Sequence, residues 1–142
     1  MNEPRRANAL DAPACAAIVH GWVSDHPWLV AAQPSLGELT EMIAKGIPER
    51  EFWIIGEPVA GYLSLKEDEA MIAGLYTAIP GSGAGKRLLD KVKTGRTYLQ
   101  LWTHEPNDAA HRFYVREGFA FVERKAEGRG DGVAELRMEW RA

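Results

Sequence analysis

Three glycines at alternate positions, Gly81, Gly83 and Gly85, run into Lys86 and a helical pattern in the stretch PGSGAGKRLLD between Pro80 and Asp90. Backbone N–H groups without neighbouring Cβ atoms can close on a phosphate in such a loop, and the dipole of the following helix favours the same negative charge. Two familiar nucleotide patterns fail here. A Walker A loop would need glycine and then Ser or Thr where Pro80 and Arg87 stand, because its hydroxyl holds magnesium. The dinucleotide fingerprint would put its last glycine on Lys86. What remains is a cradle of main-chain donors from Gly81, Ser82, Gly83, Ala84, Gly85 and Lys86 that suits a diphosphate. A plain strand-to-helix turn is the structural alternative.

The elements around the loop follow from periodicity. Asp11 precedes APACAAIVHGWV, where Pro13 suits a first helical turn and Ala14, Ala17, Ile18 and Trp22 can share one face. SDHPWLVAAQPS, residues 24–35, carries two prolines and reads as a connection or a distorted short helix. Ser35 then caps a helix over LGELTEMIAKGI, with Leu36, Leu39, Met42 and Ile43 at helical spacing, and Gly46 and Pro48 end it. Three β-rich runs follow at 51–56, 58–66 and 70–79, and they are expected to pair antiparallel. Beyond the glycine loop come a helix closed by Gly95, the strand TYLQLW, a helix from Asn107 to Gly118, and the strands FAFVERKA and VAELRMEW. A crossover helix between the strand ending at Ile79 and the one from Thr97 makes those two strands parallel. The class is mixed α/β.

Bulk properties narrow the function. A chain of 142 residues, 46% hydrophobic, fits one domain over 1–142 that buries roughly two thirds of its unfolded surface. The 17 Lys and Arg against 20 Asp and Glu leave a net charge of −3, which disfavours broad binding to nucleic acid. Cys15 is the single cysteine, so no intrachain disulfide and no zinc-type Cys/His spacing exists, and four dispersed histidines offer no metal pattern. The N-terminal stretch ANALDAPACAAIVHGW mixes Asn, Asp, Pro and His into any would-be signal core. No run reaches the length of a membrane span. A cytoplasmic protein without membrane or metal is the expectation.

NDAAHRFYVREGFAFVER, together with GLYTAIPGSGAGKRLL, resembles the GNAT superfamily of N-acetyltransferases. The resemblance follows the whole chain in element order, while its specific motifs cover about residues 74 to 122. The family's Q/R-x-x-G-x-G/A loop falls on Pro80, Gly83 and Gly85: both glycines match, and proline takes the Gln/Arg place. The resemblance implies a sheet of about seven strands with about four helices, and a cleft for acetyl-CoA where the fourth and fifth strands splay apart. It implies backbone contacts from Leu75, Tyr76 and Thr77 to the pantetheine arm, diphosphate contacts from Gly81 to Lys86, and Asn107 on the same arm. By position Tyr114 becomes the general acid, a phenol that protonates the departing thiolate.

Relatives often carry a base on the strand AMIAGLYT, which here holds neither carboxylate nor histidine. Glu105 and His104, just after TYLQLW, are the nearest candidates. Trp28 and Trp53 could wall the acceptor pocket, with His104 beside them. The implied partner is a primary amine on a small molecule or peptide, and a homodimer is common in the family although nothing in this chain points to one. Beside this reading stand a CoA-binding regulatory module with weakened catalysis, a phosphotransferase-like nucleotide site, and a domain in which residues 80 to 86 are only a turn.

Overall fold

The computed structural model describes residues 3–29 and 33–142. Its elements are β1 (Arg5–Arg6), α1 (Ala12–Ser24), α2 (Leu36–Gly46), β2 (Glu51–Ile55), β3 (Gly61–Lys66), β4 (Met71–Thr77), α3 (Ala84–Lys93), β5 (Tyr98–His104), α4 (Asp108–Arg116), β6 (Ala120–Lys125) and β7 (Glu135–Arg141). All seven strands join one sheet in the order β1-β2-β3-β4-β5-β7-β6. The expected antiparallel run β2-β3-β4 and the parallel β4–β5 pair are both present. Residues 30–32 of the expected connection lie outside the described residues.

Strand alternation divides the core in two. On β2, Phe52 and Ile54 pack with Ala12, Cys15 and Val19 of α1 and Ile43 of α2, whereas Ile55 joins the other cluster with Leu88, Leu89 and Val92 of α3. Helices α1 and α2 therefore cover one face of the sheet, and α3 and α4 cover the other. Burial of each such aliphatic side chain contributes about 1.5–3 kcal/mol.

The inner face of α1 differs from the sequence expectation. Ala12, Cys15, Ala16 and Val19 are buried, while Ala14 and Ala17 face solvent. This helix is apolar nearly all round, so periodicity alone could not select the side that meets the sheet. Asp11 also does other work than capping α1. It accepts from Asn8 N–H at 2.8 Å and from both terminal nitrogens of Arg5 at 2.9 and 3.1 Å, which fastens β1 to the turn before α1. At α2 the expected Ser35 cap forms a reciprocal box: Glu38 N–H donates to Ser35 Oγ, and Ser35 N–H donates to Glu38 Oε1.

Candidate active site

Strands β4 and β5 are partners only at Met71–Gln100 and Ile72–Leu101. Beyond those pairs β4 runs on to Thr77 along β3 and β5 to His104 along β7, without pairing to each other. The two strands part, and a wedge opens between them.

A bulge determines what β4 presents to the wedge. The register against β3 jumps from Leu65–Ile72 to Ser64–Gly74, so Ala73 is an extra residue. Gln100 N–H donates to Ala70 O before the bulge, and Ala78 N–H donates to Ala60 O after it. Alternation back from Ala78 turns the backbone groups of Tyr76 toward β3, and those of Leu75 and Thr77 toward the open side. Without the extra residue this parity would be reversed.

The glycine loop closes one end of the wedge. Gly81 and Gly83 have φ of +78° and +88°, and a Cβ built on either would meet no atom within 4 Å. Both glycines are there for backbone conformation, and their surroundings are open. Gly85 lies beside the Phe113 ring of α4, where a Cβ would make ordinary contact at 3.4 Å. Arg87 N–H donates to Gly83 O, so the amides of Gly85 and Lys86 precede the first helical hydrogen bond of α3. Ala84 N–H meets Ser82 Oγ at 3.4 Å. The Lys86 ammonium turns to Glu117 at 3.1 Å and Asp90 at 3.4 Å, which leaves its backbone N–H as the loop-side group.

Phe113 of α4 lies against Gly85 at the start of α3, and the next residue, Tyr114, packs into the core shared with α3 and β5. Tyr114 is 8% exposed, with Phe113 and Phe119 edge-on at 5.2 and 5.4 Å. Burial pushes its phenol above the ordinary value, and the Tyr76 phenol adds to that shift. Asn107 caps α4 through its side-chain oxygen, which accepts from Ala110 N–H at 3.3 Å. On β5, Thr103 is buried and its hydroxyl has no partner among the described residues.

A cavity of about 490 Å³ lies on the α1/α2 side of the wedge. Val19, Trp22 and Val23 of α1 and Leu39 of α2 line it, and the Tyr76 ring and His104 are contributed by the splayed strands. Tyr76 thus performs differently from the expectation of a coenzyme contact: its main chain serves β3 and its ring walls the cavity. Trp28 stands behind this wall, 5.0 Å from the His104 ring and 5.9 Å from Trp22. Trp53 does not reach the cavity. Alternation on β2 sends it to the opposite face, where Lys91 of α3 lies 5.0 Å over its ring and Glu51 accepts its N–H.

At the end of β5, His104 Nε2 lies 2.5 Å from Asp131 Oδ2, with Glu135 Oε1 at 3.5 Å. Burial raises the Asp131 carboxyl, but hydrogen bonds from His104 and from Val133 N–H outweigh it and hold the group below its usual range. An ionised carboxylate only accepts, so Nε2 carries the proton that meets Asp131, and Nδ1 is the ring nitrogen left on the other side. Glu105 does not join this group. Arg124 binds both its oxygens, at 2.6 and 3.0 Å, and this guanidinium holds the carboxyl below its ordinary value, the wrong direction for a base. Asp131, in the loop before β7, was not among the expected site residues, and no local pattern marks it.

No family model matches the chain, and no curated protein matches it. Solved structures do. The ribosomal-protein-alanine N-acetyltransferase from Brucella melitensis is 18% identical, with 99% of this chain and 100% of that one covered at a TM-score of 0.76. The PaiA N-acetyltransferase from Thermoplasma acidophilum, solved in complex with coenzyme A, is 18% identical over 100% of both chains at a TM-score of 0.74. A GNAT-family acetyltransferase from Bacillus cereus is 15% identical over 99% and 97% of the chains, with a TM-score of 0.76. The architecture is that of the GNAT fold.

Proposed function

We propose that this protein is an acetyl-CoA-dependent N-acetyltransferase that acts on a primary amine. The observation that carries the reading is the wedge: β4 and β5 part after Ile72 and Leu101, and the α3 glycine loop closes its end. The structural neighbour with bound coenzyme A supports the same donor. The residues fit such a ligand. Backbone groups of Leu75 and Thr77 face the open side for the pantetheine amides, and the unpartnered Thr103 hydroxyl lies on the opposite strand. Open space over Gly81 and Gly83 admits a diphosphate to the amides that run to Lys86. The Asn107 side-chain NH2 is the group left for the arm, since its oxygen caps α4.

When bound, the coenzyme supplies an acetyl group as an activated thioester. His104 takes a proton from the incoming ammonium at Nδ1, with Asp131 fixing the ring through Nε2. The free amine then forms the C–N bond while the C–S bond breaks. Tyr114 donates its phenolic hydrogen to the departing sulfur and is restored by the second proton shed from the acylated nitrogen, while the proton held by His104 passes to solvent. The sum is an amide, a free thiol and one proton released to solvent.

A cytoplasmic setting accompanies this reading, in keeping with the buried free thiol of Cys15. The test is thiol release from acetyl-CoA across a broad amine panel, together with a melting-temperature rise on adding acetyl-CoA. Binding without thiol release would favour a regulatory module. Failure of both would leave residues 80 to 86 as a turn.

A further inference from the structure

The cavity beside the wedge has an uneven chemistry. Its lining sets aliphatic Val19, Val23, Leu29 and Leu39 beside polar His20, Ser24, Gln33 and Ser35. Trp22 and Tyr76 add two aromatic surfaces whose centroids lie 5.4 Å apart at 72° and form a corner. That corner is braced: His26 stacks on Trp22 at 4.2 Å and its Nδ1–H donates to the Trp22 carbonyl at 2.6 Å, while Trp28 packs edge-on against Trp22. Locked rings give a binding wall with little entropy left to lose. The lining's acidic chemistry is confined to one place, where Asp131, the one carboxylate among the described lining residues, stands against His104. Tyr76 belongs to both halves, since its neighbours Leu75 and Thr77 turn toward the wedge.

We propose that the acceptor is a small monoamine with a flat apolar body, an arylalkylamine in chemical class. This rests on the acetyl-transfer reading above and specifies its substrate. The aryl body lies in the Trp22–Tyr76 corner against the aliphatic walls. The ammonium end meets His104, whose ring Asp131 holds, next to the wedge where the thioester would arrive. A volume of about 490 Å³ accommodates such a molecule whole. A polyamine or aminoglycoside would carry further ammonium groups into walls that hold no second carboxylate, and burying an unpaired charge is costly.

The experiment measures thiol release with 2-phenylethylamine, spermidine, an aminoglycoside and a short peptide with a free N-terminus. The parent protein and Trp22→Leu are compared, with circular dichroism confirming the fold and acetyl-CoA melting shifts confirming donor binding. The expected result is a kcat/KM for 2-phenylethylamine about tenfold or more above the other three, lost through KM in Trp22→Leu while the acetyl-CoA shift persists. In the absence of acetyl-CoA, 2-phenylethylamine should also change tryptophan fluorescence, and this should weaken in the variant. Thiol release that is equal or faster with spermidine, the aminoglycoside or the peptide overturns the inference and leaves acetyl transfer standing. No thiol release with any amine, and no melting shift with acetyl-CoA, removes acetyl transfer and this inference with it.

Discussion

His104 Nε2 and Asp131 Oδ2 are 2.5 Å apart although 27 positions separate the two residues in the chain. The contact joins the end of β5 to the loop before β7, at the carboxylate-bearing end of the cavity. If Asp131 acts through His104, the two must fail as a unit. His104→Gln is expected to lower kcat/KM for the amine about 100-fold, and Asp131→Asn about tenfold or more. The double variant should be no slower than His104→Gln alone, because a positioning group has nothing left to position. Effects that multiply, measured by thiol release with an unchanged acetyl-CoA melting shift, would show that Asp131 acts independently.

Gly83 is the N-cap of α3 and sits in the left-handed region, with open space where a side chain would begin. Gly83→Ala therefore meets no clash and strains only the backbone, at about 1–2 kcal/mol. Relief of that strain would move the cap and its amides away from the diphosphate position. The expected outcome is a modest drop in melting temperature without ligand and a clearly smaller rise on adding acetyl-CoA. Gly85→Ala provides the contrast, since its methyl makes ordinary contact with Phe113 and there is no positive φ to lose. If the two variants reduce the acetyl-CoA shift equally, the loop is not selecting ligand through the conformation at Gly83.

Local signals in the sequence were enough for most elements and one end of the site. Ser35 with Glu38, and Asn107 with Ala110, are caps written in adjacent residues, and the structure forms both. The alternating glycines mark the loop because positive φ leaves a compositional trace. Long-range pairing leaves none. Nothing near residue 135 announces that β7 inserts between β5 and β6, or that Arg5 and Arg6 extend the sheet beside β2. For the same reason Trp53 was expected at the acceptor pocket: its residue type fits, but its side of the sheet is decided by the register of β2. Asp131 was missed because its meaning comes from His104, which folding alone brings near.

Asp11 offers a test of the fold that is separate from catalysis. Hydrogen bonds from Arg5 hold its carboxyl below the usual aspartate range, burial opposes them, and Asn8 N–H adds to the lowering. With the folded value below the unfolded one, the stabilisation is complete above the unfolded value and is lost as pH falls through the folded value. Asp11→Asn is expected to cost about 1–3 kcal/mol near neutral pH. In denaturant titrations the gap between variant and parent should narrow below about pH 4. A gap that stays constant into strong acid would mean that the Arg5–Asp11 contact contributes little.

Tyr114 is buried among Phe113 and Phe119, and that packing separates its two possible contributions. Tyr114→Phe keeps the ring and removes only the hydroxyl, so melting temperature and the acetyl-CoA shift are expected to change little. Turnover should fall about 100-fold, the usual loss for a missing proton donor. Burial raises the phenol above its ordinary value, so the group keeps its proton across the neutral range and cannot compete with His104 for the proton of the amine. The pH profile of Tyr114→Phe should therefore keep its shape on a lower plateau. A profile that gains or loses a limb would assign Tyr114 to the base side of the reaction, and an unchanged kcat would make it a core aromatic.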